Sequence, residues 1–166
     1  MRIDHSARLT RRTALLSAVC TVLVANAPPG RTPRVLFVCE KGTVKSPIAR
    51  EILRSRAKER GMSVAVQSRA LEPGDSAIEA TKSALRHDGI DVSRQPLRKL
   101  SPADLAWADV VVAFNPLPEP GAAHTLRDWT DTPSVNASYP AAMASITERV
   151  DALLDELARH RKGFRR

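Results

Sequence analysis

At 166 residues, 43% of them hydrophobic, the chain is long enough to fold as one domain around its own core. The formal net charge of +8 suits anionic substrates. Aromatics make up only 4% and are not interleaved with the basic residues, which argues against nucleic acid as a partner.

Residues 1–27 read as a signal peptide, outside the fold. Arg8, Arg11 and Arg12 form a basic n-region, Thr13 to Ala27 is a nearly unbroken apolar and small-residue run, and Ala25-Asn26-Ala27 has the form of a signal-peptidase site. The run is about 15 residues, short of the ~20 that span a bilayer, so no stable membrane span is expected. Thr10-Arg11-Arg12 also resembles a twin-arginine signal. The expected location is therefore exported or periplasmic, and cytoplasmic if the segment does not work as a signal. Arg2, Arg8, Arg11 and Arg12 against Asp4 contribute +3 of the charge, leaving +5 for the remainder. Cleavage would also remove Cys20 and leave Cys39 as the only cysteine, so that no disulfide framework is possible.

Residues 28–33 form a proline-rich linker, residues 34–160 the globular α/β domain and residues 161–166 a basic tail. Val35-Leu36-Phe37-Val38 reads as a short buried strand that ends at Cys39. The loop Glu40-Lys41-Gly42-Thr43-Val44-Lys45 follows, and Ser46-Pro47 supplies an N-cap and a proline at the first helical position. Strand, tight loop and helix start together make an anion site. Loop N–H groups can turn inward, and the helix brings about half a positive charge. Lys45 and the helix start both favour a thiolate at Cys39. The alternative is a strand-end cysteine that only packs.

The first helix, from Ser46 to about Arg60, places Ile48, Ala49, Ile52, Leu53 and Ala57 on its buried face. Arg50, Arg54, Lys58 and Arg60 lie off that face, and Gly61 stops the helix. Val64-Ala65-Val66 is a second strand that leads into Ser68-Arg69-Ala70. Pro73-Gly74-Asp75 opens a helix from about Ser76 to His87, closed by Gly89, and Ser101-Pro102-Ala103-Asp104 starts a short one. Ala108 to Phe114 is a strand too apolar for a half-exposed sheet, and a weaker strand lies near Thr125 to Trp129. The last helix, from about Tyr139 to Arg159, aligns Met143, Ile146, Val150, Leu153 and Leu157 on one stripe. Strands alternating with helices predict an α/β fold, three layers α/β/α with a four-stranded parallel sheet. No cysteine–histidine cluster has zinc spacing, so neither a metal nor a cofactor is expected. Nothing in the sequence specifies an oligomeric state.

Val-Leu-Phe-Val-Cys, five intervening residues and then a cation followed by Ser-Pro-Ile-Ala resembles the signature of low-molecular-weight protein tyrosine phosphatases and the arsenate reductases that share their fold. The resemblance covers the chain from about Arg34 to the C-terminal helix. It implies that Cys39 is the nucleophile and that Ser46 hydrogen-bonds the thiolate. It also implies that Glu40, Lys41, Gly42, Thr43, Val44, Lys45 and Ser46 bind phosphate. Lys45 stands where the family has arginine, Gly42 where an asparagine shapes the loop, and Lys41 where glycine is usual. Lysine keeps the charge of arginine but lacks its planar fork; the alternative is a solvated lysine beside a loop. The family's general acid belongs to an Asp-Pro turn after a tryptophan, and Asp128-Trp129-Thr130-Asp131-Thr132-Pro133-Ser134 contains no such pair. Asp131 is the nearest carboxylate after the tryptophan and the candidate proton donor, although one alignment puts Ser134 in the acid's place. Asp128 and Asp131 read equally well as turn residues. Trp129 and Tyr139 are the local candidates for the aromatic lining of a substrate entrance.

The resemblance thus implies a cysteine-dependent phosphatase acting on phosphotyrosine or small phosphomonoesters through a Cys39 phosphoenzyme. Its partner would be a phosphorylated protein or a small oxyanion. Two other readings stay open: a pseudophosphatase that binds oxyanions without turnover, and an arsenate reductase that borrows an external thiol.

Overall fold

The computed structural model describes residues 31–75, 77–92, 96–120 and 123–163. The expected signal peptide, the first half of the linker, Ser76 and the last residues of the basic tail lie outside the described residues. The chain runs β1 (Arg34–Cys39), α1 (Lys45–Glu59), β2 (Ala65–Ala70), α2 (Glu79–His87), α3 (Pro102–Trp107), β3 (Val110–Ala113), β4 (Leu126–Asp128) and α4 (Tyr139–Gly163). All four strands are parallel, in the order β2-β1-β3-β4. This is the α/β sheet architecture that the sequence predicts.

Strand alternation sorts the apolar residues into two cores. Val35, Phe37 and Cys39 face one side, where they meet Ile48, Leu53 and Ala57 of α1 and Ile146, Val150 and Leu154 of α4. Leu36, Val38, Val111 and Ala113 face the other side and pack with Leu105 of α3 and with Leu117. Helices cover both faces, and the central strands are accordingly apolar throughout. The aromatic residues gather in the first core. Phe37, Phe114 and Trp129 lie with ring centroids 5.6–6.4 Å apart.

Several expectations change here. The N-cap of α1 is Val44, with no side-chain cap bond, so Ser46 lies inside the first turn and its hydroxyl is free for other work. Pro47 also stays in that turn, where a missing N–H costs nothing. Arg50, expected off the buried face, is only 1% exposed. The end of β2 and the residues after α2 cover it: Nη1 donates to Ser68 Oγ (2.8 Å), Nη2 to the Val92 carbonyl (3.3 Å) and Nε to Glu51 (2.7 Å). Trp129 is a core residue, 6% exposed, and lines no substrate entrance. Finally, α4 continues to Gly163, through the first residues of the stretch expected as a tail.

The strand order reverses between β1 and β3. Their connections leave in opposite directions and open a crevice beyond the carboxyl ends of the two strands. Asn115, just past β3, reaches across it: its Oδ1 accepts the Glu40 N–H at 2.9 Å.

Candidate active site

Cys39 ends β1 at this crevice, 5% exposed. The loop after it must turn sharply to reach α1, and Gly42 makes the turn with φ +71°. That is the left-handed region which side chains with a Cβ disfavour. Close packing adds a second constraint, since a Cβ on Gly42 would stand 2.7 Å from the Ala70 Cβ. The chain leaving β2 braces the loop from outside. Leu71, Glu72 and Gly74 donate their N–H groups to the carbonyls of Cys39 (3.1 Å), Glu40 (2.9 Å) and Lys41 (3.3 Å). Those bonds occupy the loop's carbonyls and leave most of its N–H groups out of the backbone pairing. Among the described residues no backbone carbonyl takes the N–H of Lys41, Gly42, Val44 or Lys45. Donors left unused beside a helix start are what an oxyanion site requires.

The sulfur has a defined partner. Cys39 Sγ lies 3.0 Å from Ser46 Oγ and accepts the Ser46 N–H at 3.5 Å. The same hydroxyl lies 3.4 Å from the Arg69 carbonyl oxygen. Ser46 has one hydroxyl proton for two acceptors. With a thiol, S–H donates to Ser46 and Ser46 donates to Arg69. With a thiolate, the hydroxyl turns to the sulfur. Arg69 is itself anchored: its guanidinium donates to Asp104 at 2.7–2.8 Å, to the Ser68 carbonyl at 2.9 Å and to Gln67.

Lys45 donates its Nζ to the Thr132 carbonyl at 2.7 Å, tying the loop to the turn before α4. Burial lowers its pKa from the ordinary lysine value, against the opposing attraction of Cys39 and Asp131. The cleft over Cys39 has a volume of about 170 Å³ and is lined by Cys39, Glu40, Lys41, Val44, Lys45, Asn115, Ser134, Val135 and Asn136. Among the described residues no aromatic side chain lines it. Gly42 and Thr43 instead border a larger cavity, of about 800 Å³, on the far side of the loop. Arg50 and Arg69 face that cavity with their guanidinium groups already engaged by the chain's own oxygens.

The geometry separates the two candidates for the acid's position. Ser134 lines the cleft. Asp131 does not: its carboxylate takes Arg149 Nη1 at 2.8 Å and Nη2 at 2.7 Å, with 72% of the side chain exposed. The arginine's hydrogen bonds and charge hold that carboxyl below the usual aspartate range, the reverse of what a proton donor needs. Tyr139 also stays out, its hydroxyl donating to Asp88 at 2.6 Å. Sequence reasoning missed Asn115, Asn136 and Arg69. The place of Asn115, one residue beyond the apolar run of β3, was the available signal, because strand ends at a switch point carry ligand contacts.

A thiol seated beside unpaired loop N–H groups, where strand order reverses, is the arrangement that a cysteine-centred oxyanion site requires. Residues 34–119 match the family model described as low molecular weight phosphotyrosine protein phosphatase, and the chain belongs to that family. No curated protein matches it significantly. Among solved structures it is similar to YfkJ from Bacillus subtilis, with TM-score 0.66 at 21% identity over 79% of this chain and 98% of the other. The YwlE arginine phosphatase from Geobacillus stearothermophilus gives TM-score 0.63 at 22% identity, over 79% and 96%. An arsenate reductase in its phosphate-binding state gives 0.56 at 23%, over 75% and 98%. At these identities the structural likeness speaks for the fold.

Proposed function

We propose that this protein is a cysteine-dependent phosphatase that acts on phosphotyrosine or small phosphomonoesters through a Cys39 phosphoenzyme. The observation that carries the reading is the sulfur 3.0 Å from Ser46 Oγ, at the base of a cleft whose loop keeps the N–H groups of Lys41, Gly42, Val44 and Lys45 unpaired with any described backbone carbonyl. The thiolate attacks phosphorus, the leaving oxygen departs, and water then attacks the phosphocysteine to release phosphate and the thiolate. Loop N–H groups and Lys45 would stabilise the charge on the equatorial oxygens. The test is phosphate release from phosphotyrosine and 4-nitrophenyl phosphate, with trapping of a phosphocysteine. Both are expected to disappear in Cys39→Ser; turnover that survives the substitution would refute the assignment.

One observation favours a second reading, an oxyanion-binding pseudophosphatase: the Lys45 ammonium is already hydrogen-bonded to Thr132. Wild type and Lys45→Arg that both bind phosphate, and are both inert, would decide for it. The solved arsenate reductase of similar fold keeps arsenate reduction with an external thiol within the same test, with arsenate as the added substrate. We also propose that the protein is exported, as the N-terminal sequence pattern indicates.

A further inference from the structure

We propose that the cleft serves phosphoryl groups whose leaving group departs as a stable anion, and that its substrate is an acyl phosphate, the mixed anhydride of a carboxylic acid and phosphate. The inference rests on the cysteine-phosphatase reading and puts an anhydride in place of the ester as its substrate.

Expelling an oxygen from phosphorus needs a proton donor when the product is a strong base. A tyrosine phenol, with pKa ~10, needs one at neutral pH, whereas a carboxylate, with pKa ~4, leaves unaided. The carboxylates near the cleft are committed elsewhere. Asp131 is held by both terminal nitrogens of Arg149, and the arginine keeps it ionised. Asp128 accepts the Thr130 N–H at 2.9 Å, which lowers its pKa. Asp75 pairs with Lys82 at 2.7 Å and Glu72 with Lys99 at 3.0 Å. Ser134 lines the cleft where an acid would be wanted, and its hydroxyl is no donor at neutral pH. Glu40 is the one carboxylate of the lining among the described residues, exposed at the mouth with Lys41 and Lys45 as its charged neighbours there. The stretches outside the described residues contain one carboxylate only, Asp4.

The lining agrees with the leaving group. At about 170 Å³, the cleft has no aromatic wall among the described residues to stack on a phenol ring. Lys41 and Asn115 line it instead, and both side chains carry N–H donors of the kind that hold an acyl oxygen. In the step itself the Cys39 thiolate forms the S–P bond while the P–O bond to the acyl group breaks. The bonding pair leaves with the carboxylate, and no proton moves. Water then attacks phosphorus, the S–P pair returns to sulfur, and the proton passes to solvent with inorganic phosphate.

The experiment compares kcat/KM for acetyl phosphate, 4-nitrophenyl phosphate, phenyl phosphate and phosphotyrosine, each corrected for spontaneous hydrolysis. Wild type is expected to favour acetyl phosphate, with rates falling about tenfold for each unit by which the leaving group's pKa rises. Ser134→Asp should raise phenyl phosphate turnover more than acetyl phosphate turnover, toward the ~10²–10⁴-fold worth of a general acid. A flat series that still depends on Cys39 would overturn the inference and leave the phosphatase standing. A shallow slope that steepens in Glu40→Gln would make Glu40 the donor and overturn it equally. Phosphate release from none of the four compounds, or release that survives Cys39→Ser, would overturn the phosphatase reading and the inference with it.

Discussion

A Cβ at position 42 would stand 2.6 Å from Leu97 Cδ1 and 2.7 Å from Ala70 Cβ, on a backbone with φ +71°. The left-handed backbone costs a residue other than glycine about 1–2 kcal/mol, and overpacking adds about 1–3 kcal/mol. Gly42→Ala should therefore lower the thermal midpoint and weaken phosphate binding together. Adding Leu97→Ala removes only the contact that a half-exposed side chain can yield, so the double variant should recover part of the loss. Full recovery, read by calorimetry, would mean that Leu97 alone constrained the turn. Lys45 is a different case, in which chemistry decides. An arginine there can grip two equatorial oxygens and still reach the Thr132 carbonyl, so Lys45→Arg should raise turnover more than it tightens phosphate binding. The pH profile gives an independent reading. Lys45 is lowered from the ordinary value, so its charge, present below its pKa, is lost as pH rises through a value under that of a free lysine. The alkaline limb of kcat/KM, which reports the free enzyme, should extend to higher pH in Lys45→Arg. An unchanged limb would remove Lys45 from the site. The place of Cys39 was legible in the apolar run it ends, and the pairing of Ser46 with the sulfur in the resemblance; position at a helix start alone made Ser46 a cap, a place that Val44 takes instead. The burial of Arg50 and Trp129 was not legible, because it depends on Val92, Ser68, Phe37 and Phe114, neighbours that no local periodicity reveals.

Between elements, a single carboxylate joins the end of β2 to the start of α3. Asp104 Oδ2 accepts the Ser101 N–H at 3.0 Å while the Asp104 N–H donates to Ser101 Oγ, a capping box. Its Oδ1 takes Arg69 at 2.7 Å, with the two side chains only 14% and 8% exposed. Ser-Pro-Ala-Asp announced the helix start; the second task of its aspartate needs the parallel sheet, which brings position 69 alongside. Removing one partner of a buried pair costs about 3–5 kcal/mol, so Asp104→Ala should be among the most destabilising single changes. Because Arg69 also presents the carbonyl facing Ser46, activity should fall with it. Burial pushes the Asp104 pKa up, but hydrogen bonds from Ser101 and Arg69 outweigh this and leave it lowered. A depressed carboxyl stabilises the fold fully above its unfolded pKa of ~3.9, and that contribution is lost as pH falls through the folded value. Asp104→Asn should thus be less stable than wild type at neutral pH, with the gap closing below about pH 4. Denaturant unfolding across pH checks this, and a gap that stays constant into acid would exclude Asp104 as the titrating group. The same scale limits how well β4 could be read. It spans three residues, Leu126–Asp128, and is held by pairing to β3 with little apolar signal of its own.

Across the whole molecule, the parallel sheet puts the strand starts and the chemistry at opposite ends. β1 spans six residues, so Arg34 lies about 17 Å from Cys39 along the strand. At the far end Asp109 closes the fold. Its Oδ2 accepts the Arg34 N–H at 2.9 Å, its own N–H donates to the Arg34 carbonyl at 2.9 Å, and Arg31 adds an ion pair. The ion pair is exposed and contributes little, whereas the backbone bonds fix the register in which Arg34 also pairs with Ala65. A cut after Ala27 falls before every one of these contacts. It removes +3 of charge and the apolar run, and every residue of the sheet, the two cores and the loop described above lies after it. A chain beginning at Pro28 should accordingly match the full-length protein in thermal midpoint and in Cys39-dependent activity. One beginning at Val35 loses the Asp109 clasp and the first rung of β1–β2 pairing, and should be measurably less stable. If the N-terminal run is the export signal we propose, protein recovered from outside the cytoplasm should start near Pro28 by N-terminal sequencing. Full-length protein confined to the cytosol would reject export. Loss of stability in the Pro28 chain would instead show that residues before Pro28 belong to the fold.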